Sequence, residues 1–169
     1  VQHLKEEWFD TDNIETTISY LYLCRQRFWN GINHIINNMP TISGYTTTYN
    51  CIENGYPFNE SIKSLLGFCD EVVVVDSGSN DGTFELLEDL SKQEDKLKVY
   101  KKEVNFTKHR WAVELDGHLK ALARSLCTKQ YLWQMDSDEV VHESDYKKIK
   151  ELCKSLPKTC NLLCLPIIE

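Results

Sequence analysis

The sequence has no long hydrophobic run, and this absence excludes the simplest kind of membrane protein. Its longest apolar stretches, such as 72–75 and 162–168, are far shorter than the roughly 20 residues that cross a bilayer. Glycine and proline are scarce, at 7 and 4 of 169 residues, and no low-complexity tract is present, which excludes collagen-like and wholly disordered chains. With 41% hydrophobic residues, the composition is instead typical of a folded globular domain without a transmembrane segment.

The sequence also lacks a run of basic residues. Its 19 lysines and arginines are outnumbered by 26 acidic residues, which gives a net charge of −7 at pH 7. A nucleic acid would have to be attracted by a local basic patch. Because the sequence shows no such patch, we predict no nucleic-acid partner.

The seven cysteines form no Cys-x-x-Cys pair and lie mostly within apolar stretches. A free cysteine in such a setting is typically a small buried hydrophobe. The neighbours Cys160 and Cys164 lack the histidine or second cysteine pair that a zinc site needs. We therefore interpret the cysteines as reduced and structural, and we predict a cytoplasmic protein.

The character of the chain changes near Pro40. Residues 1–39 are rich in aromatic side chains and carry apolar residues at helical spacing from Phe28 to Met39, which predicts a helical extension. In residues 40–169 strands alternate with helices, a pattern typical of an α/β domain with a mainly parallel sheet. The predicted strands are 42–49, 71–75, 97–100, 131–135 and one that begins at 161, and the predicted helices are 58–68, 83–90, 115–126 and 146–153.

Three of the predicted strands end in polar segments, and ligands of open α/β sheets bind at these carboxyl ends. The segments are 46–50, 76–83 and 136–139. The glycines of the second segment suit a phosphate loop, but Asp76 and Asp81 would repel a phosphate. Their carboxylates would instead accept hydrogen bonds from a base or a ribose. The alternative is that Asp76 only ends a strand and Asp81 caps the next helix.

The third segment places two carboxylates, Asp136 and Asp138, directly after an apolar strand. Oxygen ligands suit a hard cation, Mg²⁺ or Mn²⁺, which typically binds one or two carboxylates plus the phosphates of a substrate. The cation would supply the positive charge that a diphosphate needs in this acidic chain. A lone Asp-x-Asp is also common in solvated loops, so this prediction depends on its neighbours.

Taken together, the segments TTTYN at 46–50, EVVVVDSGSNDGT at 71–83 and YLWQMDSDEVV at 131–141 resemble the nucleotide-binding part of family 2 glycosyltransferases. The resemblance covers about residues 40–145 and is closest to the branch of glucosyl- and related transferases of cell-surface glycan assembly. It implies a GT-A, Rossmann-like fold. It also implies metal-dependent and inverting transfer of a sugar from a nucleoside-diphosphate sugar, with a UDP-sugar favoured, to a glycan or other hydroxyl acceptor.

The resemblance also implies roles for single residues. Thr48 and Tyr49 match the positions that cradle the nucleobase, and Asp76 matches the acidic residue at the base and ribose. Asp136 and Asp138 match the metal-binding pair, with Asp138 as the direct ligand of metal and diphosphate. Glu139, which follows that pair, has a supporting role only.

This sequence departs from the family's pattern at two positions. Many members carry a second aspartate where this chain has Ser77, so a hydroxyl would replace the usual carboxylate contact to the base. An Arg-Asn pair expected one helix before the metal motif is here Lys120-Ala121, with Arg110 and His118 nearby. We expect Lys120 or Arg110 to help hold the diphosphate, the alternative being that both lie on a solvated helix face.

The sequence offers no convincing general base after Asp138, where the family places it together with the acceptor site. We therefore expect the 40–169 domain to be truncated at its C-terminus. One alternative is a non-catalytic module that only binds a nucleotide-sugar. The other is an Asp-nucleophile phosphohydrolase, since 136–140 also fits the strand-end pattern Asp-x-Asp-x-Val of that class.

Overall fold

A computed structural model describes residues 21–25, 39–104, 112–157 and 159–165. A short 3₁₀ helix, Glu143–Asp145, precedes the last α-helix. The strands are β1 (Leu21–Arg25), β2 (Ile42–Thr48), β3 (Glu71–Asp76), β4 (Leu97–Lys101), β5 (Tyr131–Gln134) and β6 (Leu162–Leu165), and the α-helices are α1 (Phe58–Phe68), α2 (Thr83–Ser91), α3 (Ala112–Leu126) and α4 (Tyr146–Ser155).

The strands form one sheet in the order β4-β3-β2-β5-β1-β6. The first four strands in this order are parallel, and β1 runs antiparallel to both of its neighbours. The predicted α/β class with a mainly parallel sheet is therefore confirmed. No helix within the described ranges has the length and apolar character needed to cross a membrane.

The core lies on both faces of the sheet, which explains the continuous valine run of β3. Val72, Val73, Val74 and Val75 are all fully buried, as expected for a parallel strand covered on both sides. Helices α1, α2 and α4 pack on one face, and α3 packs on the other. Burying each valine contributes roughly 1.5 to 3 kcal/mol, so the strands that end at the polar segments are rigidly held.

The helical extension predicted for residues 1–39 is described only at Leu21–Arg25 and Met39. The helical prediction is wrong for Leu21–Arg25, because these five residues form β1 and pair with both β5 and β6. Backbone groups along the edge of β5 need hydrogen-bond partners, and β1 supplies them. The predicted helix from Phe28 onward lies outside the described residues, and the boundary at Pro40 stays a prediction.

Candidate functional site

The polar segments predicted from the sequence meet at one edge of the sheet. In the register of the parallel strands, Thr48 lies beside Asp76 and Tyr45 lies beside Gln134. The carboxyl ends of β2, β3 and β5 therefore point the same way, as an α/β ligand site requires.

Asp76 ends β3 and is completely buried. One carboxylate oxygen accepts hydrogen bonds from the backbone N–H groups of Gly78 (3.0 Å) and Ser79 (2.8 Å). The other accepts from the hydroxyls of Thr48 (2.9 Å) and Ser79 (2.6 Å). In this conformation the carboxylate builds the loop after β3, and its predicted contact with a base or ribose stays a prediction.

The other residues predicted at the nucleobase differ in exposure. Thr48 is buried with its hydroxyl directed to Asp76, and the hydroxyl of buried Ser77 donates to the Thr48 carbonyl oxygen at 2.8 Å. Tyr49, by contrast, is 40% exposed. Of these three side chains, Tyr49 therefore presents the most surface to a ligand. Base contacts by all three stay predictions.

Asp81 holds the far end of the same loop, next to the start of α2. Its carboxylate accepts hydrogen bonds from the backbone N–H groups of Thr83 and Glu53, both at 2.9 Å. Burial raises the pKa of Asp81, but these hydrogen bonds outweigh it and lower the pKa overall. Asp81 thus holds the first turn of α2, as its capping alternative predicts, although the N-cap residue itself is Gly82. Gly78 and Gly82 have φ of 94° and 97°, a conformation that favours glycine.

Lys120, on α3, reaches the metal motif predicted at the end of β5. Its Nζ lies 2.6 Å from Oδ1 of Asp136 and 2.8 Å from Oδ2 of Asp116, and its side chain is only 15% exposed. Burial by itself would lower the pKa of Lys120, but the hydrogen bonds to the two carboxylates outweigh it and raise the pKa. Lys120 is therefore not on a solvated face. Arg110, the other predicted cation, lies outside the described residues.

Asp116 was not predicted from the sequence, although it connects two elements at this edge. Besides Lys120, it accepts a hydrogen bond from the hydroxyl of Thr47 at 3.3 Å. A signal was available, because an acidic residue four positions before a lysine on a helix indicates an ion pair. What the spacing could not show is that the pair lies against the ends of β2 and β5.

The loop after β5 is fixed to α1 and to itself. The Ser61 hydroxyl donates to the Asp136 carbonyl oxygen at 3.2 Å, and the Asp136 N–H donates to the Glu139 carboxylate at 3.0 Å. Burial and the neighbouring Asp136 and Asp138 charges raise the pKa of Glu139, despite that hydrogen bond. Asp138 is exposed, and within the described ranges its carboxylate makes no hydrogen bond or ion pair. It is the carboxylate of this loop that is open to a ligand.

The carboxylate oxygens of this loop could supply some, but not all, of the ligands of a hard divalent cation. Asp136, Asp138 and Glu139 offer only carboxylate oxygens, which Mg²⁺ and Mn²⁺ prefer. Nowhere in the described part of the chain do three or more histidine, cysteine or acidic side chains converge as a closed metal site. Such a cation would therefore need further oxygens from a substrate, which is how Mg²⁺ is usually bound beside phosphates.

Residues 45–168 match the protein family Glycosyl transferase family 2. Among solved structures, a mannosyltransferase from Pyrobaculum calidifontis, PcManGT in complex with GDP-Man and Mn²⁺, has a TM-score of 0.53 and 21% identity over 71% of this chain and 33% of its own. S. aureus TarS has a TM-score of 0.48 and 24% identity over 64% of this chain and 18% of its own. The structure of TarS residues 1–349 in complex with UDP has a TM-score of 0.48 and 25% identity over 64% of this chain and 30% of its own.

No curated protein sequence matches this chain. The chain spans a third or less of each of the three solved structures. The mannosyltransferase shares its fold, which confirms the GT-A architecture expected from the resemblance. The family match, which covers well over half of the sequence, favours this class over the phosphohydrolase alternative. The chain belongs to glycosyl transferase family 2.

Proposed function

We propose that this chain is the donor-binding part of a glycosyltransferase that moves a sugar from a nucleoside-diphosphate sugar to a hydroxyl acceptor such as a glycan. UDP-sugar is the favoured donor, and the sugar is displaced directly at its anomeric carbon with inversion. One observation carries the proposal. The Lys120 ammonium and the Asp136 carboxylate stand in contact at the ligand edge of the sheet, beside the open carboxylate of Asp138.

The charges at this edge suit a diphosphate leaving group. Asp138 and Asp136 would hold Mn²⁺ or Mg²⁺, and the bound cation would offset the charge that builds up on the departing nucleoside diphosphate. Lys120 is fixed within the same loop region and adds a second positive charge. Because its side chain is 15% exposed, its attraction for a phosphate oxygen is screened less than that of a surface lysine.

The nucleobase part of the proposal depends on the ends of β2 and β3. Tyr49 offers an exposed ring on which a base can pack. The buried residues Thr48, Asp76 and Ser77 are hydrogen-bonded to one another next to it and form the floor of the proposed base site. Uracil is our first choice, with guanine and thymine behind it. Guanine belongs in the test because a mannosyltransferase of the same fold is in complex with GDP-Man.

The second candidate is a module that binds a nucleotide-sugar without turning it over. The observation in its favour is that three of the acidic residues after Asp138 lie on helices rather than at the ligand edge of the sheet. Glu143, Asp145 and Glu151 lie on the 3₁₀ helix and α4, and the last two are engaged with lysines. Slow hydrolysis of the donor by this chain would separate the two functions, since a pure binder releases no sugar.

A cytoplasmic location is also part of the proposal. It is based on the interpretation of the cysteines as reduced thiols.

The proposal is tested by calorimetric titration of the 169-residue chain with UDP, GDP and dTDP, each with and without Mn²⁺. We expect UDP to bind more tightly when Mn²⁺ is present, because the cation bridges the carboxylates and the diphosphate. Titration with Mn²⁺ alone is the control for non-specific binding to an acidic protein. If no nucleotide binds more tightly with the metal, the donor proposal is wrong.

A further inference from the structure

Asp116 links three parts of the ligand edge that are far apart in sequence. It lies on α3, accepts a hydrogen bond from Thr47 on β2, and pairs with Lys120, which in turn reaches Asp136 after β5. Asp116 is not among the site residues predicted from the sequence, so the donor contacts proposed above assign it no role.

The geometry shows what Asp116 does to Lys120. The two residues are one helical turn apart, so their side chains meet on the same face of α3. One oxygen of Asp116 contacts the Lys120 ammonium at 2.8 Å, while the other is held by Thr47 at 3.3 Å. The carboxylate is thus fixed by β2 and in turn restrains the lysine.

Restraint matters because a lysine side chain is long and flexible. Ordering it costs roughly 2 kcal/mol of conformational entropy, which a ligand must otherwise supply on binding. The ammonium has three N–H donors, and two of them are directed to Asp116 and Asp136. One donor therefore remains for an oxygen of a ligand at the end of β5.

We propose that Asp116 is a positioning residue that holds Lys120 beside the metal motif, so that the ammonium is already in place for the donor's diphosphate. The inference rests on the proposed donor binding and adds a residue to it. Without Asp116, Asp136 is the one charged partner left to Lys120 within the described contacts, and the ammonium is then held from one side only. Asp116 acts through Lys120 and does not itself touch the donor.

The test is a double-mutant cycle on the affinity for UDP in the presence of Mn²⁺, measured by calorimetry on the 169-residue chain. We expect Asp116→Asn to weaken binding about tenfold, the usual effect of losing a hydrogen bond between charged groups. Lys120→Met is expected to weaken it at least as much. The double variant should bind no worse than Lys120→Met alone, because Asp116 has nothing left to position. If the two losses add, Asp116 acts independently of Lys120 and the inference is wrong.

Two controls separate positioning from loss of charge or of folding. Glu114→Gln removes the same charge from the same helix, and UDP affinity should stay within about twofold of the wild type. Uridine, which has no phosphate, should bind Asp116→Asn and the wild type equally, whereas a direct contact of Asp116 with base or ribose would weaken it. Thermal unfolding of each variant reports whether the fold persists.

A measurement without any ligand keeps this inference distinct from the donor proposal. The ¹⁵N signal of the Lys120 ammonium reports how fast its protons exchange with water. We expect Asp116→Asn to speed this exchange at least tenfold, while Glu114→Gln leaves it unchanged. If wild-type protein binds no nucleotide but the exchange responds in this way, the donor proposal fails and the restraint of Lys120 stands. Unchanged exchange in Asp116→Asn would overturn the restraint whatever binds.

Discussion

Asp76 and Asp138 lie at the same edge of the sheet in opposite environments. Asp76 has no exposed surface and accepts four hydrogen bonds, whereas Asp138 is exposed and accepts none from the described residues. A buried carboxylate with every lone pair engaged stabilises the fold. An exposed, unengaged one costs little to keep and is available to a ligand. Substitutions at the two sites should therefore have opposite consequences.

Asp138→Ala should abolish the Mn²⁺-dependent gain in UDP affinity while the protein stays folded. The carboxylate is exposed, and an exposed charge beside like charges contributes at most about 1 kcal/mol to stability. Calorimetry with and without Mn²⁺ measures the first effect, and thermal unfolding measures the second. Asp95→Ala, which removes another exposed loop carboxylate, should leave both unchanged. Unchanged Mn²⁺-dependent affinity in Asp138→Ala would mean that the cation binds elsewhere.

Asp76→Ala should lower the free energy of unfolding by about 3 kcal/mol, because it leaves two backbone N–H groups and two hydroxyls without their buried acceptor. Urea unfolding measures the loss. Asp76→Asn keeps one acceptor oxygen and should lose clearly less. Equal stability of Asp76→Ala and wild type would contradict the hydrogen-bond arrangement at the end of β3.

At the scale of residues, the sequence indicated positions that the structure brings to one edge of the sheet, but not the contacts that each side chain makes there. Asp136 and Asp138 could be named because they directly follow an apolar strand, and Lys120 because the resemblance to the family implies a cation one helix before that motif. The engagement of Asp76 by its own loop depends on exact backbone geometry, which spacing does not encode. Asp116 was missed because its partner Thr47 lies 69 residues away in sequence.

Glu71, at the start of β3, joins four elements of the fold. Its carboxylate accepts hydrogen bonds from Ser43 on β2, Lys98 on β4 and the backbone and hydroxyl of Thr128, just before β5. Burial raises the pKa of Glu71, but these hydrogen bonds outweigh it and lower the pKa below the ordinary 4.5. The folded state therefore favours the ionised carboxylate.

The stability that Glu71 contributes should depend on pH in a defined direction. Because its pKa is lower in the folded than in the unfolded state, the contribution is complete above pH 4.5 and is lost as the pH falls through the folded-state pKa. Glu71→Gln should lower the free energy of unfolding at pH 7 by about 2 kcal/mol and flatten its decrease as the pH falls below 4.5. Urea unfolding at several pH values checks both effects. A variant with the same pH slope as wild type would show that other carboxylates cause the acid sensitivity.

The contact between α1 and α4 leaves no room for a side chain at Gly67. A Cβ there would overlap the ring of Tyr146, which packs against Phe68 with ring centroids 5.4 Å apart. Alanine gains up to about 1 kcal/mol of helix propensity, but overpacking costs about 1 to 3 kcal/mol. Gly67→Ala should therefore lower the free energy of unfolding by about 1 kcal/mol. In a Tyr146→Ala background the same substitution should instead be stabilising, and urea unfolding of the four proteins tests this reversal.

At the scale of elements, the sequence predicted those helices and strands that are determined by local residue patterns. Helices α1, α2, α3 and α4 and strands β2 to β5 were predicted close to their observed positions, since apolar spacing and turn residues act over short distances. Strand β1 was predicted wrongly as helix, because its conformation is set by pairing with β5 across most of the chain. The sheet order likewise depends on long-range pairing and could not be read from the sequence.

At the scale of the whole molecule, the burial of the cysteines shows which parts of the chain are closed to reagents. Of the six cysteines whose side chains the structure describes, Cys51, Cys69, Cys127 and Cys153 are buried, and none of the six is in a disulfide. Burial raises the pKa of Cys153 to about 11 and, together with the nearby Glu71 charge, that of Cys127 to about 12. Thiols with such pKa values have little reactive thiolate at neutral pH. The structural interpretation of the cysteines fits these four, whereas Cys164 is exposed.

Modification with a thiol reagent at pH 8 should therefore divide these six cysteines into two groups. Cys164 and the half-buried Cys160 should react in the native protein, and the four buried thiols should react only after unfolding in urea. Mass spectrometry of peptides after brief labelling identifies which sites have reacted. Rapid native labelling of Cys127 or Cys153 would show that the core opens more readily than its packing implies.

The antiparallel strand β1 has a consequence for how this polypeptide is made. Leu23 pairs with Trp133, so β1 is synthesised roughly a hundred residues before its partner strand. Until then its hydrogen-bonding groups have no sheet to join, and β6 cannot dock at all without it. Assembly of that half of the sheet consequently comes late, after β5 has been synthesised, and a nascent chain arrested before β5 would hold only the β2–β3–β4 portion.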